Sequence, residues 1–156
     1  MRLIHFTLTL TLALAPAALP LVAPAANAPK AAKGAKVSSV HAILINASNT
    51  HGGVDRKLAA YEADLRRNLP FDTFRYATEG TVALPNKGRS TITFAGNHRL
   101  ELEDDPSEGL SLKVFWMNGS EVVIRTTLTL NPGVPAVLIR RGASDGDVPV
   151  VLLMAR

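Results

Sequence analysis

The chain has 156 residues, 17 Lys+Arg against 13 Asp+Glu, a formal net charge of +4 and no cysteine. The length suits one domain of ordinary size. The absence of cysteine excludes a disulfide scaffold, a cysteine nucleophile, an iron–sulfur cluster, a thiolate zinc site and a lipidated lipoprotein.

Residues 1–28 read as a secretory signal peptide. Arg2 supplies a short positive start, an apolar stretch follows, and Ala26-Asn27-Ala28 has the small-x-small pattern of a cleavage site. Ala23-Pro24-Ala25 offers an alternative site. Pro16, Pro20 and Pro24 would break a spanning helix, and the apolar run barely reaches the roughly 20 residues a bilayer requires. The expectation is therefore export, to the periplasm or the medium, with no integral membrane segment left after processing. Residues 29–36 (PKAAKGAK) lack apolar periodicity and read as a flexible Lys/Ala linker. Residues 37–156 then form a single domain. Arg2 belongs to the signal and Lys30, Lys33 and Lys36 to the linker, so the domain carries 13 Lys+Arg against 13 Asp+Glu. A nucleic-acid binder concentrates its basic excess on the folded surface, so no nucleic-acid partner is expected.

Along the domain, residues 37–47 end in the apolar run Ala42-Ile43-Leu44-Ile45, which predicts a strand buried on both faces. Residues 46–53 (NASNTHGG) are turn formers and predict a loop. Residues 55–69 predict a helix. Asp55 starts it, Leu58, Tyr61, Leu65 and Leu69 form an apolar stripe, Glu62 and Arg66 pair at i,i+4, and Pro70 stops it.

The remainder reads as strands: 73–84, 91–95, 99–103, 110–116, 120–130, 134–139 and 148–155, separated by turns such as Pro85-Asn86-Lys87-Gly88, Gly96-Asn97-His98 and Asn131-Pro132-Gly133. For the hairpin at Asn118-Gly119, a two-residue turn places Leu112 opposite Arg125. A three-residue loop, 117–119, places Val114 opposite Val122 and Leu112 opposite Ile124, which keeps apolar with apolar and is preferred. Pro135 must lie at the start of its strand or on a sheet edge. The fold expected is mainly β: an antiparallel β-sandwich or small barrel of about 7–8 strands with one helix near the N-terminus of the domain.

Few residues suggest chemistry. His41, His51 and His98 share no close spacing, so no metal site is expected. The acidic turn from Asp104 lacks the spacing of a calcium loop, and no G-x-S-x-G elbow occurs. The most site-like segment is Asn49-Thr50-His51-Gly52-Gly53, which leads into Asp55 at a helix start. Phe115 and Trp116 lie on opposite faces of one strand, so one ring is core and the other is left for contacts. Candidate binding residues are thus Asn49, His51, Asp55 and Phe115. No catalytic residue and no cofactor is expected.

An export signal, an apolar strand, a helix, then Leu69-Pro70-Phe71-Asp72-Thr73-Phe74-Arg75-Tyr76, and a late Gly133-Val134-Pro135-Ala136-Val137-Leu138-Ile139 before a final apolar strand: this combination resembles a group of small exported bacterial β-rich proteins of unknown function. The resemblance implies a fold and no catalytic residues. Arg140-Arg141 stand where similar proteins continue with glycines. The function expected is an envelope interaction or assembly module without catalytic activity, meeting an envelope protein partner through strand edges or the face around Phe115. The alternative is a periplasmic domain that binds a glycan or another small molecule through its loops.

Overall fold

The computed structural model describes residues 38–84, 88–105, 111–140 and 146–156. The expected signal peptide and linker lie outside these residues, as do parts of three expected turns, at 85–87, 106–110 and 141–145.

Among the described residues there are eight strands: β1 (Ser39–Ser48), β2 (Thr73–Ala83), β3 (Arg89–Thr93), β4 (His98–Asp105), β5 (Ser111–Asn118), β6 (Glu121–Thr129), β7 (Ala136–Ile139) and β8 (Val148–Ala155). They form two antiparallel four-stranded sheets, one ordered β2-β1-β8-β7 and the other β3-β4-β5-β6. The two sheets are separate, so the architecture is a sandwich and the barrel is set aside.

Alternation along the strands builds two cores. Inward-facing Val40, Ala42, Leu44, Val151 and Leu153 of the first sheet meet Leu100, Leu102, Leu112, Val114 and Trp116 of the second. On the other face of the first sheet, Ile43, Ile45, Ala47, Val148, Val150, Leu152 and Met154 pack under Leu58, Leu65 and Leu69. β1 and β8 are therefore covered on both faces, which is why they read as continuous apolar runs rather than alternating ones. The second sheet has one covered face, and its strands alternate. Pro135 directly precedes β7, and β7 is an edge strand, as its chemistry requires.

The helical segment departs from the expected single helix. Arg56–Tyr61 is a 3₁₀ helix and Glu62–Asn68 is the α-helix α1. Asp55 caps the start, its carboxylate accepting from the Lys57 N–H at 3.0 Å. The tight three-residue turn eclipses Leu58 and Tyr61, so both face the sheet. The Glu62–Arg66 pair forms at 2.8 Å, and the helix ends ahead of Pro70.

Two further expectations are corrected. β1 continues through Ser48, so the loop starts at Asn49, not Asn46: Asn46, Ala47 and Ser48 pair with Arg75, Phe74 and Thr73. The β5–β6 hairpin adopts neither register considered. Asn118 lies opposite Glu121, so Gly119-Ser120 is the turn, with Gly119 at φ 60° in the position a type II′ turn reserves for glycine. The register then shifts, placing Trp116 opposite Ile124 and Leu112 opposite Leu128. Val123 is the extra residue, and the bulge lets Val123 and Ile124 both pack on the core.

One side of the sandwich is closed by a close approach. Gly80 of β2 faces Ile92 of β3, and a Cβ added to Gly80 would lie 2.5 Å from the Ile92 Cγ2. Ser90 of β3 also donates to the Ala83 carbonyl of β2 at 3.1 Å. Gly80→Ala is accordingly expected to destabilise by about 1–3 kcal/mol, as overpacking does, read from denaturant unfolding. Ile92→Ala removes the clashing methyl, so the double variant should cost clearly less than the two single costs together. Strict additivity would refute the contact.

Candidate functional site

The loop after β1 is the most site-like segment of the sequence, and its Thr50 and Gly53 groups hold it in place against β2. The Thr73 hydroxyl donates to the Thr50 carbonyl, and the Ser48 and Thr50 hydroxyls bond at 2.8 Å. Phe74 N–H donates to the Gly53 carbonyl at 2.9 Å, and Asp55 N–H to the Phe74 carbonyl at 2.8 Å. Gly53 has φ 73°, and Gly52 lies against Thr73 with a would-be Cβ at 3.1 Å. The glycine pair thus answers to geometry. Asn49 and His51 are exposed at the tip of this loop, and Asp55 is the helix cap. Phe115 lies on the outward face of the second sheet, so the structure brings Asn49, His51 and Asp55 into one segment and leaves Phe115 apart from them.

Phe115 sits in a lattice of charged side chains. The Arg125 and Arg89 guanidiniums lie 5.1 and 5.6 Å from its ring centroid. Arg89 also reaches Glu101 at 3.0 Å and Glu103 at 3.3 Å, and Arg99 reaches Glu101 at 3.2 Å. The row Thr91, Glu101, Phe115, Arg125 runs straight across the four strands. This is a solvent-facing surface with one half-buried aromatic ring.

His41 forms a cluster that the sequence did not reveal. It is largely buried on the outer face of β1, with Nδ1 2.8 Å from the Thr81 hydroxyl and Nε2 3.3 Å from Glu79. Both ring nitrogens are satisfied if Nε2–H donates to the carboxylate and Thr81 donates to Nδ1. Thr81 lies directly across the ladder from His41, and Glu79 lies opposite Ile43. Only the pairing register could have found them, since they are about forty residues distant in the chain. A hydroxyl–imidazole–carboxylate chain is the grouping that nucleophilic catalysis uses. Here it neutralises the polar groups of a buried ring at the margin of the helix-covered face.

The open side of the sandwich lies between β6 and β7. A groove of about 520 Å³ runs there, lined by Val123, Ile124, Arg125, Thr126, Ile139 and Arg140. β6 pairs with β5 on one side and, among the described residues, with no strand on the other. Nine residues long, it carries no proline and no lysine. Val122 within it and Val134 after it are the exposed large apolar residues among the described residues, at 46% and 57%. The sequence signal for this was present in Val122-Val123-Ile124-Arg125-Thr126-Thr127-Leu128-Thr129, a run of strong strand formers with one charge.

Among the described residues, no group of three His, Asp or Glu side chains could hold a metal ion, and no helix is long and apolar enough to cross a membrane. Comparison with protein-family models, with curated proteins and with solved structures returns no match.

His98 and Trp116 yield a pH prediction. Trp116 is fully buried, and its indole N–H donates to His98 Nδ1 at 3.2 Å, which requires that nitrogen to be unprotonated. Burial holds the His98 imidazole below its usual 6.5. His41 is also held below 6.5, chiefly by burial and then by Arg156, with Glu79 opposing. Both groups bind protons less readily folded than unfolded. Their contribution to stability is complete above pH 6.5 and is lost as pH falls through 6.5 toward the folded values. The melting temperature should thus fall between pH 7 and about 5.5, above the carboxylate range. A His41→Gln/His98→Gln double variant should flatten that fall. Fluorescence of Trp116, the single tryptophan, should report His98 protonation with a midpoint below 6.5. A midpoint at or above 6.5 would contradict the assignment.

Proposed function

We propose that this chain is an exported interaction module of the cell envelope, without catalytic activity, that recognises an extended segment of a partner by strand addition at β6. The observation that carries this reading is the contrast among the four sheet edges. β7 is four residues long and follows Pro135. β3 is five residues long and begins with Arg89. β2 is bulged, with Ala77 between the residues paired to Leu44 and Ile45. These are devices by which natural sheets blunt their edges. β6 has a bulge near its turn and is otherwise long and regular, and the groove against β7 can receive the side chains of an added strand. Strand addition draws affinity from main-chain hydrogen bonds and specificity from alternate side chains. The export assignment rests on the signal-like residues 1–28.

The alternative, a loop-based glycan or small-molecule site, is less well supported. The Ser48 and Thr50 hydroxyls bond to each other, and the Thr50 and Gly53 carbonyls accept from β2.

A neutral nine-residue peptide alternating valine and threonine tests the proposal. It should bind saturably, with the amide resonances of residues 121–129 shifting most. If the peptide leaves these amides unmoved, or shifts those of β2 instead, strand addition at β6 is wrong.

A further inference from the structure

Resting on the strand-addition reading, we infer that the added strand is acidic on its outward side: a segment of another protein that alternates apolar residues, facing the groove, with glutamate or aspartate facing Arg125 and Lys113.

The groove defines one side of such a strand. Its apolar lining is Val123, Ile124 and Ile139, set beside Arg125, Thr126 and Arg140, so the inward side chains that meet the three apolar residues should be apolar. Charge defines the other. On the outward face, Arg125 belongs to β6 itself, and Lys113 lies on β5 opposite Thr127. Among the described residues, neither has a carboxylate within ion-pair distance. The cross-strand neighbour of Lys113 is Glu103, which is engaged by Arg89 at 3.3 Å. Glu121, at the turn end of β6, faces Arg140 at 3.9 Å. The open edge thus presents Arg125 on β6 and, one strand in behind Thr127, Lys113, and the nearest acids are already shared with other arginines. An outward side chain on an added strand would stand directly across from Arg125, at the spacing at which opposite charges attract and like charges repel.

The same two cations argue against a second copy of this chain as the occupant. Antiparallel pairing of two β6 edges would bring two Arg125–Lys113 pairs together on one face of the joined sheet. A lysine-rich strand is disfavoured for the same reason.

The test uses the intact domain and three nine-residue peptides: alternating valine and glutamate, alternating valine and lysine, and the glutamate peptide N-methylated at alternate residues. Isothermal titration at low ionic strength should show the glutamate peptide binding about fivefold or more tightly than the lysine peptide, the scale of two rim ion pairs. The gap should shrink with salt and reverse in an Arg125→Glu/Lys113→Glu variant. The N-methylated peptide should lose binding. Equal affinity for the two charged peptides, or no reversal in the variant, would overturn the acidic partner while leaving strand addition standing if the neutral valine–threonine peptide still binds. Undiminished binding of the N-methylated peptide would overturn strand addition itself. Concentration-dependent dimerisation through β6 in the absence of peptide would show a second copy to be the occupant and overturn the inference.

Discussion

The pairing of β1 with β8 is the constraint on which the rest depends. Ten residues near one end of the domain and eight near the other lie side by side in the middle of a sheet. Both strands are apolar on both faces, so each face demands a cover. The 3₁₀–α segment supplies one through Leu58, Leu65 and Leu69, and the second sheet supplies the other through its Leu, Val and Trp116 row. A fully buried leucine contributes on the order of 2–5 kcal/mol relative to alanine, so this double burial outweighs any surface ion pair on the molecule. In a domain without cysteine, it is also what joins the first strand to the last.

Covering both faces leaves only the edges to differ, and here the two sides of the sandwich diverge. At β2 and β3 the sheets close on each other, helped by the missing side chain of Gly80 and the bond from Ser90 to Ala83. At β6 and β7 they part and leave the groove. The functional reading follows from that asymmetry. In the proposed reading, the outward face of the second sheet, with Phe115 between two guanidiniums, is the charged flank of the open edge.

Much of this was legible in the sequence because local patterning reports burial directly. The double-sided run of β1, the helix stripe from Leu58 to Leu69, the alternation through Leu100 and Leu102, and the placing of Pro135 at a strand start or a sheet edge all come from residue periodicity and backbone chemistry. What remained hidden was non-local. The hairpin register turned on whether glycine takes the first or the second central position of the turn, and on a bulge at Val123 that alternation cannot reveal. The His41–Thr81–Glu79 cluster depends on which strand lies beside β1. Of the candidate binding residues, Asn49, His51 and Asp55 were singled out by residue type in a loop. Yet Thr50 and Gly53 of that loop serve to hold it against β2, whereas the proposed strand addition at β6 would use backbone amides, which every sequence has.

Amide hydrogen exchange on the isolated domain tests the account most directly. Amides of Ser39–Ser48 and Val148–Ala155 should exchange only through global unfolding, while alternate amides of Glu121–Thr129, directed away from β5, should exchange orders of magnitude faster. Uniform protection along β6, equal to that of β1, would mean that its edge is already occupied and would contradict both the open edge and the function drawn from it.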